Sequence, residues 1–205
     1  MTKTKLDRDQ RRELILDVAQ SVFLEEGFAN ASMSTIAARL GGSKGTLYNY
    51  FKSKDELFNA YVERRCLWQQ DEVFDLLPGE DPEAAIQRVA RAFLAFVVDE
   101  TTQRNFRLIV AEAERTPALC KIFYEAGPRR GEARLAEFLA AMEAKGVLDL
   151  QGDPLRAARH LFGLVQSPTF KGRLCNAIPT LTPDQIDAEA ASGVRTFMRA
   201  FGRRA

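Results

Sequence analysis

The sequence predicts an all-α protein, because apolar residues recur at helical spacing and strand-like alternation is missing. Apolar side chains return at intervals of three and four residues through most of the 205-residue chain. Four segments open with a capping residue followed by proline, which is favoured at the first helical position. These capping residues are Asp81, Thr116, Asp153 and Thr182. No stretch alternates strictly between apolar and polar residues as a half-buried β-strand does.

Three helices are predicted in the N-terminal quarter of the chain. The first covers about 8–26 and ends at Gly27, and the second covers about 33–40 with Ser32 as its N-cap. Gly41-Gly42 then makes a tight turn. Ser43 caps a third helix over about 44–50.

The remaining helices are longer and begin with a capping box. Ser53 and Glu56 stand at capping-box spacing and open a helix that runs to about residue 77, where Pro78-Gly79 ends it. Gly127-Pro128 is predicted to close one later helix and open the next. The later helices are predicted over 82–100, 103–114, 117–126, 128–145, 154–166 and 183–202. The stretch 167–181 is predicted to be irregular or only briefly helical.

Composition excludes several classes of protein. No apolar run approaches the roughly 18 residues of a membrane span, and the first residues lack the apolar core of a signal peptide, so we expect a cytoplasmic protein. Cys66, Cys120 and Cys175 form no CxxC pair and His160 is the single histidine, so neither a disulfide framework nor a metal site is predicted. We find no nucleophile–base pair, carboxylate cluster or phosphate loop, and we expect neither an enzyme nor a cofactor.

The segment 32–54 is rich in hydrogen-bonding groups on its outward side. The third helix directs six residues outward: Lys44, Gly45, Thr46, Tyr48, Asn49 and Tyr50. Between Gly27 and Lys54 there are four basic residues and no acidic one. A major groove admits a helix, and Lys and Asn side chains read the edges of G and A there. The alternative is a solvated helical hairpin without a partner.

The order of residues in this segment resembles the helix-turn-helix of the TetR family. The shared features, over about 8–65, are Ile36-Ala37, a turn from Gly41 to Ser43, Gly45-Thr46-Leu47-Tyr48, Tyr50-Phe51 and Ser53-Lys54-Asp55 followed by Leu57. The family implies a three-helix N-terminal helix-turn-helix DNA-binding domain over 1–53 and a larger helical ligand-binding and dimerisation domain over 54–205. Gly42 departs from the family, which more often has valine there, and is expected to loosen the turn.

The resemblance implies a role for each matching position. Base or groove contacts are implied for Ser34, Lys44, Gly45, Thr46, Tyr48 and Asn49, and phosphate contacts for Ser32, Tyr50 and Lys54. A cation such as Lys54 is disfavoured in the first turn of a helix, and an adjacent phosphate would explain its presence. The function implied is a repressor that binds a palindromic double-stranded operator as a dimer and is released by a small effector. An activator, or a regulator without a ligand, fits the same residues.

The last two long helices are predicted to form the subunit interface. One apolar face comprises Leu155, Ala158, Leu161, Phe162 and Val165, and the other comprises Ile186, Ala190, Val194, Phe197 and Phe201. Small residues at Ala191 and Gly193 allow close approach. Two such helices from each subunit make a four-helix bundle. The competing interpretation is that these faces complete the core of their own chain.

Aromatic residues of the larger domain suggest where an effector binds. The segments 106–115 and 123–128 resemble the AefR-like subgroup of C-terminal domains, over about 85–165. The expected effector is a small apolar or amphipathic molecule. The candidate pocket residues are Trp68, Phe93, Phe96, Phe106, Phe123, Phe138, Phe162 and Gln166. Core packing is the alternative role of these side chains.

Overall fold

A computed structural model describes residues 7–65, 71–75, 77–167 and 169–203. The regular elements within these ranges are helices, beside one isolated bridge between Leu148 and Gly202, which confirms the all-α prediction. The chain divides into two compact units. One contains Met1–Arg65 and Arg107–Ala126, and the other contains Cys66–Phe106 and Gly127–Ala205. This division differs from a boundary after residue 53, because 54–65 and 107–126 belong to the first unit.

The first unit contains the three N-terminal helices, the helix that follows them and part of the middle of the chain. Its helices are α1 (Arg8–Asn30), α2 (Met33–Arg39), α3 (Lys44–Tyr48), α4 (Lys54–Arg65), the end of α7 (Glu100–Glu112) and α8 (Pro117–Tyr124). Helix α1 continues past its predicted end, although Gly27 interrupts it with φ 77° and ψ 160°. A residue without Cβ tolerates that backbone conformation.

An aromatic cluster forms the centre of the first unit. Phe23, Phe28, Phe58 and Tyr61 are each at most 2% exposed, and their neighbouring ring centroids lie 5.3–6.4 Å apart. Burial of four aromatic side chains is a large share of what stabilises so small a core. The cluster joins α1 to α4, and α3 is held beside these helices by Leu47, which is 1% exposed.

The second unit is a larger bundle built around α6 and α12. Its helices are α5 (Asp71–Phe74), α6 (Pro82–Val98), the start of α7, α9 (Arg130–Ala144), α10 (Pro154–Gln166), α11 (Phe170–Leu174) and α12 (Pro183–Phe201). Helix α10 packs against α9 and α12, and α12 packs against α6. Residues 66–70 lie outside the described ranges, so α4 is seen to Arg65 rather than to residue 77.

The predicted helix starts are largely confirmed. The side chains of Ser32, Ser43, Asp81, Asp153 and Thr182 each accept a backbone N–H of the first turn. The prediction for Thr116 is wrong, because its hydroxyl donates to the Glu112 carboxylate (3.3 Å) and forms no cap. The capping box at Ser53 is half formed: Ser53 accepts from the Glu56 N–H (3.0 Å), while Glu56 accepts from the Lys52 N–H (2.6 Å).

The helix break predicted at Gly127-Pro128 is also wrong. A π-helical turn, Glu125–Arg129, carries the chain from α8 into α9. Pro128 has no N–H to donate to the carbonyl four residues back, and a wider turn accommodates the missing bond without ending the helix.

The apolar faces of α10 and α12 complete the core of their own chain. Of the ten interface residues predicted there, Leu155 is 38% exposed, Ile186 packs against the core while partly buried, and the other eight are at most 7% exposed. Gly193 does allow close approach, but to the same chain: a Cβ there would lie 2.8 Å from Val165 Cγ2. The interface prediction is therefore wrong for these eight buried residues, which fit the competing interpretation, and it stays a prediction for Leu155 and Ile186. A period of 3.6 identifies the apolar face of a helix but not which chain covers it.

Candidate nucleic-acid interface

Helix α3 buries one side chain and exposes nearly all the others. Leu47 is 1% exposed, whereas Tyr48 is 42% exposed, and Lys44, Gly45 and Asn49 are exposed too. The five residues of α3 therefore have a single apolar anchor and an outward side that carries an ammonium, a phenol and, just past the helix, an amide. Each of these groups is a hydrogen-bond donor.

Hydroxyl groups fix the start of α3. The Ser43 hydroxyl accepts the Thr46 N–H at 3.2 Å, and the Thr46 hydroxyl lies 3.1 Å from it. Thr46 is half-buried, so its side chain supports the turn as well as facing outward. Nothing but Ser43 Oγ, at 3.7 Å, lies within 4 Å of where a Cβ on Gly45 would be, so this part of the backbone is open to a close approach.

The start of α2 has the same construction. Ser32 Oγ accepts the Thr35 N–H at 3.0 Å and lies 2.9 Å from the Thr35 hydroxyl. Ser34 is exposed, whereas Ser32 is half-buried. Tyr50, after α3, is half-buried, and its N–H donates to the Leu47 carbonyl at 3.0 Å.

The turn between α2 and α3 contacts α1 through Arg11. A Cβ on Gly42 would lie 3.3 Å from Arg11 Nη2. Because that atom is the end of a flexible side chain, a larger residue would displace it at little cost. Gly42 therefore leaves room for Arg11 beside the turn.

Two of the four basic residues between Gly27 and Lys54 are engaged elsewhere. Arg39 forms ion pairs with Glu25 (2.5 Å) and Glu26 (3.0 Å), and its hydrogen bond to Glu25 raises the pKa of the guanidinium. Lys54 points inward, as described below. Lys44 and Lys52 are exposed and make no ion pair within the described part of the chain.

Lys52 was not among the residues singled out in the sequence. Its ammonium donates to the Tyr48 carbonyl, at the end of α3, at 3.3 Å. No pattern in the sequence indicates this contact, because Lys52 lies beyond the end of α3 and donates to a backbone group. Lys52 thus adds a positive charge beside the outward side of α3.

Lys54 is held by the end of α1. Its ammonium donates to the carbonyl groups of Phe28 (2.6 Å), Ala31 (3.0 Å) and Ala29 (3.4 Å). These acceptors account for a cation in the first turn of α4, where the sequence suggested a phosphate. A phosphate contact would require the side chain to leave them.

The candidate effector residues of the second unit are mostly core residues. Phe93 and Phe162 stack with ring centroids 3.9 Å apart, and each is 7% exposed. Phe138 is 5% exposed and packs edge-on against Phe74. Phe106 packs edge-on against Phe170, with centroids 5.1 Å apart.

The other candidates are more dispersed. Phe96 and Gln166 are half-buried in the second unit, and Phe123 is half-buried in the first. Trp68 lies outside the described residues. A crevice of about 240 Å³ beside α5 and α9 has Phe138 as the one candidate in its wall. Its lining is Phe74, Asp75, Arg134, Glu137, Phe138, Ala141 and Met142.

The described ranges contain no group of three or more His, Cys, Asp or Glu residues placed to hold a metal ion. None of the helices they contain has the length and apolar character needed to cross a membrane.

Comparison with known families agrees with this geometry at both ends of the chain. Residues 15–61 match the family described as "Bacterial regulatory proteins, tetR family". Residues 84–203, more than half of the chain, match the "AefR-like transcriptional repressor, C-terminal domain". The chain belongs to the TetR family. It is a DNA-binding transcriptional regulator, and α2 and α3 form its helix-turn-helix.

Individual relatives are similar over half of the chain or more. The solved structure of the flavonoid-responsive regulator FrrA is 32% identical, with a TM-score of 0.77, covering 96% of this chain and 100% of that chain. The transcriptional repressor BepR of Brucella suis is 26% identical over 171 residues, which is 80% of this chain and 81% of BepR. The transcriptional activator FasR of Mycolicibacterium smegmatis is 34% identical over 113 residues, 51% of this chain and 48% of FasR.

Proposed function

We propose that this regulator is a repressor that binds a palindromic operator as a dimer and is released by a small effector. The observation that carries the proposal is the outward side of α3, where Lys44, Tyr48 and Asn49 are exposed while Leu47 alone is buried. A donor-rich helix with one anchored side is suited to the major groove, where base edges accept hydrogen bonds.

The proposed contacts follow the exposure of each side chain. Lys44 and Asn49 read base edges, and Tyr48 contacts the groove through its hydroxyl. Ser34, Gly45 and Thr46 line the approach, and Gly45 lets the backbone come close. Ser32 and Tyr50, at the two edges of the motif, contact phosphates, which orient a protein on the duplex.

A double substitution tests this assignment. Lys44→Ala with Tyr48→Ala should abolish operator retardation, since each lost base contact weakens binding by about 1–3 kcal/mol. The matched control is Lys121→Ala with Tyr124→Ala, which removes the same residue types from exposed positions of α8. Equal retardation of the α3 variant and the α8 variant would refute the assignment.

Dimerisation is proposed through the outward sides of α10 and α12. Small residues lie there: Gly163 is half-buried with open space where its Cβ would be, and Ala188 and Ser192 are exposed. Small side chains let two helices approach closely, and two helices from each subunit form a four-helix bundle. A dimer also presents two copies of α3 to two half-sites.

Gly163 offers a test that spares the fold of the subunit. Gly163→Arg places a long side chain in open space, so the subunit should fold but sediment as a monomer. Ala133→Arg, at an exposed position of α9, is the control and should remain dimeric. A dimeric Gly163→Arg variant with full operator affinity would exclude this surface.

The effector is proposed to be a small apolar or amphipathic molecule, and the relative described as a flavonoid-responsive regulator supports flavonoids as the first probes. The crevice beside α5 and α9 has an apolar floor of Phe74, Phe138 and Met142 with charged residues at its rim. An effector must favour a form that binds operator poorly. The single tryptophan, Trp68, provides a fluorescence signal for titration with a flavonoid series. Quenching together with loss of retardation supports release, whereas quenching without it rejects that ligand as the effector.

Activation is the second candidate, because a matching relative is named an activator. Footprinting relative to the promoter separates the two functions. A repressor should cover the polymerase site, and an activator should bind upstream of it.

A further inference from the structure

The kinked end of α1 leaves backbone carbonyl groups that need donors. After Gly27 leaves the helical conformation, the carbonyls of Phe28, Ala29 and Ala31 all accept from Lys54. Carbonyl groups at a helix end have no partner within the helix and carry partial negative charge. The ammonium of Lys54 therefore caps α1 from the first turn of α4.

The surroundings of Lys54 are those of an interior group. Phe28 is 2% exposed, Ala31 is 3% exposed, and the ammonium lies 4.2 Å from the centroid of the Phe28 ring. An aromatic face attracts a cation, and more strongly when water is excluded. Burial lowers the pKa of Lys54, and the carboxylates of Asp55 and Glu112 oppose that shift.

Glu112 brings a negative charge to the same place from the end of α7. Its side chain is 8% exposed and accepts a hydrogen bond from the Thr116 hydroxyl at 3.3 Å. Its Oε1 lies 3.6 Å from where a Cβ on Gly27 would be, so the carboxylate rests against the kink of α1. A buried carboxylate is stable only with a compensating charge or donors.

We propose that Lys54 and Glu112 are positioning residues that form one charge-compensated cap on α1, and that Lys54 serves this cap rather than a DNA phosphate. The cap joins the end of α1, the start of α4 and the segment 107–126. All of these segments belong to the first unit. The DNA part of this inference rests on the proposed function, whereas the cap itself does not.

Salt dependence distinguishes the two roles of Lys54. Each phosphate neutralised by a cation contributes about 0.9 to the slope of log affinity against log salt concentration. A lysine that caps α1 contributes nothing to that slope, although its loss weakens binding by disturbing the unit. The slope is a readout that a structural role leaves unchanged.

The experiment is a double-mutant cycle on the full-length protein with Lys54→Met and Glu112→Gln. Methionine keeps the apolar stem of Lys54, and glutamine keeps the shape of Glu112. We expect each single variant to lower the melting temperature by about 2–8 °C, the range of a modest destabilisation in a protein of this size. The double variant should lose clearly less than the sum, because both side chains support the same kinked end of α1 and either change alone disturbs it. Glu114→Gln, which removes an exposed carboxylate two residues on, is the control and should leave melting unchanged.

Operator affinity of the same proteins, measured over a range of salt concentrations, completes the test. The Lys54→Met protein should bind more weakly with an unchanged slope. Additive melting shifts, or an unchanged melting temperature with a slope smaller by about 0.9, would overturn the proposal. If the wild-type protein binds no duplex, the proposed function fails, and the melting cycle still decides whether the cap exists.

Discussion

Helices α3 and α12 use their apolar residues in the same way and differ in what their other side offers. In α3 a single residue, Leu47, is buried, and the exposed side carries donors such as Lys44. In α12 five residues are buried, including Phe197 and Phe201, and the exposed side carries small residues such as Ser192. In both helices the apolar side belongs to the fold and the opposite side is available for a partner.

The contrast shows which kind of surface a sequence reveals. A donor-rich side is conspicuous, because unpaired hydrogen-bonding groups in a particular order are unusual on a short helix. A side made of small residues has no such pattern in the sequence, and the apolar stripe of the same helix is recognised in its place. The apolar stripe of α12 therefore suggested an interface on the buried side of the helix, whereas the proposed dimer uses the opposite side.

The largest loss of stability is expected from a substitution on the buried side of α12. Phe197 is fully buried, and Phe197→Ala should lower the free energy of unfolding by about 3–5 kcal/mol through lost burial and a cavity. Ala200→Ser, at an exposed position of the same helix, should change it by no more than about 0.5 kcal/mol. Thermal unfolding followed by circular dichroism measures both. Similar losses in the two variants would show that the stripe is not core.

A slightly smaller effect is expected at the single anchor of α3. Leu47→Ala should destabilise the first unit by about 2–5 kcal/mol and abolish operator retardation. The second unit has its own core and should retain its helical signal. Hydrogen exchange, read separately for α3 and α12, measures this. Retention of operator binding would mean that α3 does not depend on Leu47.

The next effect, a destabilisation of about 1 kcal/mol, is expected from removing the N-cap of α3. Ser43→Ala removes the acceptor for the Thr46 N–H, and a lost N-cap destabilises a helix by about 1 kcal/mol. Operator affinity should fall by no more than about fivefold, the limit reached when α3 of the variant is mostly unfolded before it binds. Asparagine is an equally good cap, so Ser43→Asn should restore affinity. Failure of this rescue would implicate Ser43 itself in the DNA contact.

The smallest effect is confined to acid pH and to the second unit. Arg88 donates to the Glu80 carboxylate (2.8 Å) and, with the Leu77 N–H, lowers the pKa of Glu80 to about 2 from 4.5. A carboxyl whose pKa is depressed on folding adds stability above its unfolded pKa, and that stability is lost as pH falls from 4.5 toward 2. Glu80→Gln should flatten the melting temperature across this range, and the exposed Glu83→Gln should not. A wild-type slope in the Glu80 variant would disprove the assignment.

Sequence patterns predicted the helices because the residues that begin a helix act on their immediate neighbours. Asp81 and Thr182 cap the helices they precede, since a capping bond needs only the next three residues. The prediction that Thr116 caps the helix after it was wrong because its hydroxyl bonds to Glu112, one turn earlier. The predicted helix break at Gly127-Pro128 was wrong because a proline, which lacks an N–H, can either end a helix or widen one of its turns. Tertiary packing decides which of the two occurs.

The candidate site was predictable to the extent that its residues lie on one short segment. Lys44, Tyr48 and Asn49 face outward as the spacing indicated. The direction of Lys54 was not predictable, because it depends on three carbonyls some 23–26 residues away and on Glu112, contributed by the middle of the chain. Effector residues were least predictable, since aromatic side chains at helical spacing fill a core and line a pocket equally well.

Selection of bound sequences from random duplexes tests the central claim most directly, with wild-type protein and with Lys44→Ala and Asn49→Ala variants in parallel. The wild-type protein should enrich an inverted repeat whose half-sites lie about one helical turn apart. Each variant should lose base preference at one position in both half-sites and keep it elsewhere. Enrichment of the same sequence by all three proteins, or of none by the wild type, would contradict the assignment of α3 as the helix that reads DNA.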